Sequence, residues 1–307
     1  MLRAIFSAIA LAALGGCSVH PLPQDVTGYN TYQIVSKIRC EARDAVRGYA
    51  ISFIRKKRPD LADALKKGTI GFDKFDRKQL DPETLKLVDR YARAEIAYDF
   101  SFDITEKNDV GGSADFLRAF SRGPLKLPLT AGMDRERQNT RNFRISDTFG
   151  DLASKVSDDY CVHATKEKNW IYPITGHIGL AELVGTFLDL NQSGNLSPKE
   201  GKTVRTIADT IEFTTKISGS AKPTIELTPV GRDFQLTKAG LSFSGSREDV
   251  HKVIVALALP ADEAPRGAKG AGKSAKAVAN EMIDEQIGRK AIDDRRRLEK
   301  RLLERLE

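Results

Sequence analysis

The chain has 307 residues and carries 49 lysines and arginines against 42 acidic residues, which gives a formal net charge of +7 at pH 7. Charged residues make up 30% of the chain and hydrophobic residues 40%, a balance typical of a folded body with a water-exposed surface. The length suffices for one large domain or two small ones. The modest positive excess suits anionic lipid headgroups or other polyanions, but it does not indicate a nucleic-acid-binding protein.

Residues 1–16 have the organisation of a secretory signal. Arg3 supplies one positive charge, an apolar run extends from Ala4 to Leu14, and small residues precede Cys17. The run is too short to span a bilayer, which needs about 20 helical residues. We therefore expect this segment to be removed after export.

The sequence Leu14-Gly15-Gly16-Cys17 resembles the lipobox of bacterial lipoproteins. In that family the cysteine thiol receives a diacylglycerol, the signal is cut before the cysteine, and the new amino group is acylated. The resemblance therefore implies an anchor in membrane lipid through Cys17, since several acyl chains together hold a protein stably to a membrane. Through Ser18 it also implies an outer-membrane location facing the periplasm. The alternative is an ordinary cleaved signal that leaves Cys17 as a stray thiol.

Residues 17–29 are predicted to form a tether, followed by a helix from Asn30 or Thr31 to about Arg55. Three arginines recur at every fourth position along this helix. They would lie on phosphate headgroups near the anchor, or form a solvated face paired with nearby acids, which is the favoured interpretation. The stripe consists of Arg39, Arg43 and Arg47.

A second helix is predicted from 81–83, where an aspartate can cap the helix and a proline occupies its first turn. Alternating apolar and polar residues over 96–104 predict a half-buried strand. A turn is predicted at 111–112, and a short helix at 179–188 leads the second half. Further short strands are predicted at 125–129, 143–145, 210–217, 224–227, 234–236, 241–243 and 250–259, with turns at 219–220 and 231–233. This order predicts an α+β fold with an antiparallel, sandwich-like sheet core and flanking helices.

The globular body is predicted over 30–260, as one unit or as two halves near 30–165 and 166–260. Residues 261–273, rich in glycine, alanine and lysine, are expected to be a flexible linker. A charged helix with a narrow apolar stripe is predicted at 274–307. This stripe would contact a second copy or another envelope protein, or dock on the body, unless the segment is a solvated tail. Its charges nearly cancel, which argues against nucleic-acid binding.

With Cys17 acylated, Cys40 and Cys161 remain as an even pair in an oxidising compartment, where disulfides persist. A bond between them would close a loop of about 120 residues, worth ~4–5 kcal/mol on the chain-entropy model. The alternatives are two free buried thiols, or Cys161 as a nucleophile with His163 nearby.

The stretch 189–200 resembles an EF-hand calcium loop, with Gly194 at the sharp turn and Leu196 as the apolar anchor. Calcium takes six to eight oxygen ligands. Pro198 within the loop and Gly201 after it depart from the family pattern. The alternative is a polar connection between a helix and the sheet. The calcium ligands that the resemblance implies are Asp189, Asn191, Ser193, Asn195, Ser197 and Glu200.

Catalytic motifs are not evident in the sequence. It contains no nucleophile elbow, phosphate loop or dinucleotide-binding motif, and its four histidines are scattered. In the run from Tyr172 to His177, a turn with a satisfied histidine is favoured over a general base. A deep cleft that holds His177 or His163 with an acid would favour an enzyme, whereas an apolar helix stripe on a smooth body would favour a scaffold.

The segment 31–46 and the helix–loop–strand run after Tyr172 are similar to uncharacterised envelope lipoproteins of Gram-negative bacteria. We therefore expect a non-catalytic, membrane-anchored envelope lipoprotein that presents an α+β body to partners. The alternatives are a calcium-stabilised binding module and an envelope hydrolase.

Overall fold

The computed structural model describes residues 20–120, 123–162, 169, 172–196, 204–226, 235–260 and 274–303. These residues form seven helices and five strands. The helices are α1 (Gln24–Thr27), α2 (Thr31–Arg55), α3 (Pro59–Lys66), α4 (Pro82–Ala92), α5 (Phe149–Lys155), α6 (Leu180–Gln192) and α7 (Ala275–Leu303). The strands are β1 (Glu95–Phe120), β2 (Gly123–Thr148), β3 (Arg205–Ala221), β4 (Thr224–Glu226) and β5 (Gln235–Leu259). Among these helices, none combines the length and the apolar character that crossing a membrane requires.

Both helix starts predicted from the first third of the sequence are confirmed. At the start of α2, the Asn30 side chain accepts the Gln33 main-chain N–H, and the Gln33 side chain accepts the Asn30 N–H, each at 2.9 Å. This reciprocal capping box satisfies two main-chain donors that the helix itself leaves without acceptors. At the start of α4, the Asp81 side chain accepts the Thr84 N–H at 3.1 Å, and Pro82 occupies the first turn.

The described strands form one antiparallel sheet in the order β2-β1-β5-β3, with β4 paired to β5. They are fewer and longer than predicted. The predicted turns at 111–112 and 219–220 lie inside β1 and β3, and the predicted strands between 234 and 259 belong to β5. The predicted turn at 231–233 lies outside the described residues.

Close packing between strands explains one of these errors. A Cβ atom at Gly111 would lie 2.5 Å from the Ser242 Oγ, so this glycine permits a close approach of β1 and β5 and does not turn the chain. Pro128 lies within β2, which is the edge strand of the sheet, where the missing N–H of proline is tolerated.

Helices cover both faces of the sheet in the region of the hydrophobic core. One face packs against α2, α5 and α6 and contributes Ile96, Tyr98, Phe100, Phe102, Val253, Val255, Leu257 and Leu259. The residues that alternate with these pack against α7 and include Ala97, Ile254, Ala256 and Ala258. The predicted α+β class, with an antiparallel sheet core and flanking helices, is therefore confirmed, and helices provide the layers on either side of the single sheet.

The chain divides into two compact units. Unit 1 comprises 1–25, 103–140 and 215–249, and unit 2 comprises 26–102, 141–214 and 250–307, each over its described residues. Each unit combines segments from before and after residue 165, and β1, β2, β3 and β5 contribute residues to both units. The units therefore do not coincide with the two sequence halves near 30–165 and 166–260. The expected linker at 261–273 lies outside the described residues.

Candidate functional site

Several of the predicted site residues lie outside the described part of the chain. These are the lipidation residue Cys17, the histidine His163, and two of the six expected calcium ligands, Ser197 and Glu200. The remaining predicted residues belong to the described part of the chain.

The N-terminal segment that follows Cys17 is bound to unit 1 from Pro21 onwards. The Pro21 carbonyl accepts a hydrogen bond from Asn139 Nδ2 at 2.9 Å, and the Leu22 carbonyl accepts one from Arg247 Nη2 at 2.7 Å. Pro21 itself is buried. The described part of the expected tether over 17–29 is therefore held to the sheet, because the main-chain carbonyls of Pro21 and Leu22 bind its side chains.

Arg247 organises a buried ionic cluster beneath this segment. Its guanidinium donates to Asp249 Oδ1 at 2.8 Å and to Glu106 Oε1 at 2.9 Å, besides the bond to the Leu22 carbonyl. Arg137 donates to the other Glu106 oxygen at 2.7 Å. The Arg247 side chain is 8% exposed, so its charge is compensated almost entirely by these partners. No local sequence pattern predicts this cluster, because Glu106 and Arg247 are 141 residues apart.

The cysteine pair is bonded in the structure. Cys40 on α2 and Cys161 form a disulfide with their Cα atoms 5.7 Å apart and a sequence separation of 121 residues. The bond fixes the segment that follows α5 against α2. Cys161 is thus a structural residue here and does not carry the free thiol that a nucleophile requires.

The arginine stripe of α2 packs against that same segment. Arg39 donates two hydrogen bonds to the Asp147 carboxylate at 2.7 and 3.0 Å. These bonds raise the pKa of the Arg39 guanidinium above its ordinary value, although burial opposes the shift. Arg43 donates to the Ser157 carbonyl at 2.8 Å, and Arg47 donates to the Ala153 carbonyl at 2.9 Å.

The headgroup interpretation is therefore wrong. The favoured interpretation is correct in its pairing with nearby acids, since Arg43 binds Asp44 at 2.8 Å, but wrong in expecting a solvated face. The side chains of Arg43 and Arg47 are 7% and 18% exposed, and they are occupied by main-chain carbonyls and by Asp158. Guanidinium groups with several donors suit a carbonyl-rich segment that has no regular partner strand. The stripe thus positions a loop, and it presents little charge to solvent or to lipid headgroups.

An open cleft of about 1540 Å³ lies beside α2 in unit 2. Its lining includes charged side chains such as Lys37, Lys66 and Asp158, together with His177. His177 Nδ1 is 3.2 Å from Glu41 Oε1, so a cleft with a histidine and an acid is present.

Glu41, however, is engaged by the main chain at the start of α6. Its carboxylate accepts the N–H groups of Ile178 at 2.9 Å, Gly179 at 2.7 Å and Leu180 at 2.6 Å. These are donors that the first turn of a helix leaves without acceptors, and the helix dipole adds to their attraction for a negative charge. Glu41 therefore caps α6 from a neighbouring helix. The same carboxylate lies beside His177, which agrees with the expectation of a turn whose histidine has a polar partner.

The first two expected calcium ligands do not converge. Helix α6 continues to Gln192, so Asp189 and Asn191 both lie within it, and residues two apart on a helix point about 200° away from each other. Asp189 is exposed, whereas Asn191 is 4% exposed and its Nδ2 donates to the Phe187 carbonyl at 2.7 Å. A calcium loop would require this last turn of α6 to unwind.

The residues that follow terminate the helix. The Ser193 hydroxyl donates to the Asp189 carbonyl at 2.8 Å, and Gly194 adopts a φ of +73°, the left-handed conformation that ends many helices. Asn195 is exposed. Within the described residues, no group of three or more His, Cys, Asp or Glu side chains is placed to hold a metal ion.

The charged C-terminal helix, α7, combines two of the expected behaviours. Val278 and Ile283 in its first half are buried against the sheet of unit 2. Further along, Ile287, Ile292 and Leu298 are 38%, 55% and 58% exposed. The apolar stripe therefore docks on the body at its start and faces solvent afterwards.

Comparison with known proteins places the chain in a family. The family model described as "Uncharacterised protein y4kA" matches residues 20–304. The protein y4kA of Sinorhizobium fredii is 36% identical over 302 residues, which cover 93% of this chain and 94% of that protein. The chain belongs to the y4kA family. Because the match covers nearly the whole of both chains, we expect the y4kA family to share the two units described above.

Comparison with solved structures includes matches to the InvG secretin. The InvG secretin domain of the Salmonella SPI-1 injectisome is 8% identical, with 67% of this chain and 72% of that chain covered and a TM-score of 0.22. The open-gate InvG secretin is 7% identical over the same shares, with a TM-score of 0.12. Likeness at these TM-scores supports no argument about this member of the y4kA family.

Proposed function

We propose that the chain is a lipid-anchored envelope protein without a catalytic role, which holds its α+β body beside a membrane and presents it to partners. The lipobox-like sequence 14–17 supplies the anchor, and Ser18 favours the outer membrane with the body in the periplasm. The observation that carries the proposal is the binding of Pro21 to Asn139. Cys17 precedes Pro21 by four residues, which span at most about 14 Å when extended. Acyl chains on Cys17 would therefore keep unit 1 next to the bilayer.

The state of Glu41 supports a role without catalysis. Its carboxylate already accepts three main-chain N–H groups, which engage both of its oxygens. A substrate could bind these oxygens only by displacing the start of α6. We therefore assign the Glu41–His177 pair to the structure of the cleft wall.

The exposed part of α7 is the partner contact that we propose for unit 2. Ile287 and Leu298 lie within about 20° of each other around the helix axis, and they form an exposed apolar stripe on a helix whose other residues are strongly charged. An amphipathic helix of this kind fits a helix or groove of a second copy or of another envelope protein.

The anchor is tested by the mass of the mature N-terminus. The full chain is produced in a Gram-negative host, and the N-terminal peptide and the behaviour of the protein on membrane extraction are compared for the wild type, Cys17→Ser and the neighbouring control Ser18→Ala. We expect the wild type and Ser18→Ala to begin at an acylated Cys17 and to require detergent for release. Cys17→Ser should lack the acyl mass and be released by high salt or alkaline carbonate. A wild-type N-terminal peptide without acyl groups would contradict the proposal.

A further inference from the structure

Unit 1 contains an exposed set of large hydrophobic side chains. Nine of them, distributed over all five strands, are between 43% and 63% exposed. They are Val110, Leu125, Leu127, Leu129, Met133, Ile217, Ile225, Leu241 and Phe243. A contiguous exposed apolar patch on a soluble protein indicates a surface for a partner or a membrane.

Ion pairs between strands show which residues share a face. Glu106 on β1 binds both Arg137 on β2 and Arg247 on β5, so these three side chains lie on one face of the sheet. Lys107 on β1 binds Glu136 on β2, and this pair lies on the other face. Because side chains alternate along a strand, the even residues of β1 share a face with the odd residues of β2 and β5. The apolar residues of these three strands all fall on that face.

The two remaining strands follow the same rule. Ile225 of β4 is paired with Ala239 of β5, which is an odd position of that strand. Lys216 of β3 binds Glu248, an even position of β5, so the adjacent Ile217 lies on the face of the odd positions. All nine exposed hydrophobic side chains therefore belong to one side of the sheet, which we call the apolar face.

The opposite side, which we call the polar face, has a different chemistry. Its described strand residues include Lys107, Asp109, Lys126, Asp134, Glu136, Ser242, Ser244 and Glu248. On the apolar face, the acidic residues in the described strands of unit 1 are Glu106 and Asp249, and both are bound to Arg247. Arg135 on the apolar face is exposed. The apolar face thus combines exposed hydrophobic side chains with a basic residue and keeps its acids paired.

The N-terminal segment crosses the same face. Pro21 and Leu22 are bound by Asn139 and Arg247, which are odd positions of β2 and β5. The described start of the chain at Pro21 therefore lies on the apolar face of the sheet.

We propose that the apolar face of unit 1 lies on a bilayer surface containing anionic phospholipid, with its hydrophobic side chains at the boundary between headgroups and acyl chains. This inference rests on the proposed anchor, because the acyl chains on Cys17 bring that face to the membrane. A lipid surface is the occupant that fits best, since Pro21, four residues after the proposed anchor at Cys17, and the exposed Arg135 lie on this face, whereas exposed acids such as Asp134 lie on the other. A second copy of the chain is the competing occupant.

Two adjacent residues of β2 provide a matched test. Leu127 and Lys126 are both exposed and lie on opposite faces. Each is replaced by cysteine in the otherwise complete protein and labelled with the environment-sensitive fluorophore NBD. The introduced thiol is the one that reacts, because Cys40 and Cys161 are bonded to each other and Cys17 carries acyl chains. The labelled proteins are reconstituted in phosphatidylethanolamine–phosphatidylglycerol vesicles with or without lipids that carry a nitroxide quencher on the acyl chain.

We expect NBD at Leu127→Cys to shift to the blue in vesicles and to be quenched by the nitroxide lipids at least about twofold more than NBD at Lys126→Cys, because apolar side chains enter the acyl boundary. Equal quenching at both positions, or none at Leu127→Cys, would overturn the inference. A blue shift that depends on protein concentration and is insensitive to nitroxide lipid would assign the face to a second copy.

These experiments can refute the proposed anchor and the proposed membrane contact of the apolar face independently of each other. Acylated protein with an unquenched probe at Leu127→Cys would leave the anchor intact and refute the lipid-facing sheet. In the Cys17→Ser background, flotation of the full chain with the same vesicles measures the face alone. There we expect replacement of Leu125, Leu127 and Leu129 by serine to weaken binding roughly tenfold or more. The matched polar-face change Lys126→Ser should weaken it less than about threefold, and equal losses in the two variants would overturn the inference.

Discussion

Replacing Glu41 by alanine should destabilise unit 2 severely, although the residue lies on α2 and the affected backbone belongs to α6. The change removes the acceptor for the N–H groups of Ile178, Gly179 and Leu180, which lie 2.6 to 2.9 Å from the carboxylate. The Glu41 side chain is 11% exposed, so solvent replaces these bonds incompletely.

The expected loss in the free energy of unfolding follows from the number and type of hydrogen bonds that Glu41→Ala removes. A hydrogen bond to a charged group contributes ~1.5–3 kcal/mol, and a buried donor that loses its acceptor costs ~1–3 kcal/mol. Because the open cleft admits some water, we expect Glu41→Ala to lower the free energy of unfolding by about 3–5 kcal/mol, and not by the full sum. Glu41→Gln keeps one acceptor oxygen and the shape of the side chain, so its loss should be about 1–2 kcal/mol.

Urea unfolding of the mature chain with its disulfide intact, followed by far-ultraviolet circular dichroism, measures these differences. Glu182→Ala is the matched control, because Glu182 is an exposed acid in the first turn of the same helix. Its loss should stay below about 1 kcal/mol, the usual contribution of a charge to the helix dipole. A loss below 1 kcal/mol for Glu41→Ala, or one as small as that of the control, would refute the reasoning.

Four further predictions concern other parts of the chain. Cys161→Ser should lower the free energy of unfolding in urea by ~4–5 kcal/mol. Addition of reductant should bring the wild type to the same value. An unchanged unfolding midpoint would contradict the structural role of the disulfide. Ile283→Ala on the docked part of α7 should cost ~2–4 kcal/mol, whereas Ile292→Ala on its exposed part should cost less than about 0.5 kcal/mol, and the reverse order would show that the helix docks differently. Thermal melts in millimolar calcium and in chelator should superimpose, and a rise in midpoint that Asp189→Ala removes would show that the end of α6 unwinds to form a metal loop. Burial raises the pKa of the Glu95 carboxyl above its ordinary value. The contribution of Glu95 to stability is therefore present at low pH and is lost as the pH rises through the pKa of the folded state. Glu95→Gln should remove that part of the pH dependence in melts between pH 3 and 7.

The sequence by itself determined the elements that depend on neighbouring residues. The start of α2 at Asn30 and the start of α4 at Asp81 were both predictable, because a capping side chain bonds to main-chain groups two or three residues away. The strand that begins near Ile96 was predictable because its alternate side chains enter a core. The sequence also suggested that Cys40 and Cys161 bond to each other, because they are the two cysteines that remain besides Cys17. Two free thiols stayed open as an alternative.

Tertiary structure decided what depends on residues far apart in the chain. The length of β1 and β5 beyond the core is set by main-chain pairing, which no local side-chain pattern reports, so their outer parts were predicted as short strands and turns. The contacts of Arg43 with the Ser157 carbonyl and of Arg247 with Glu106 could not be predicted, because these partners lie more than 100 residues away in the chain. Asn191 resembled a calcium ligand in the sequence because of its position in the loop pattern. In the structure the helix continues through Asn191 and turns its amide into the core. The type of a polar side chain shows which groups it can bind. Which of those groups it does bind depends on the fold, because the fold determines which of them lie close to it.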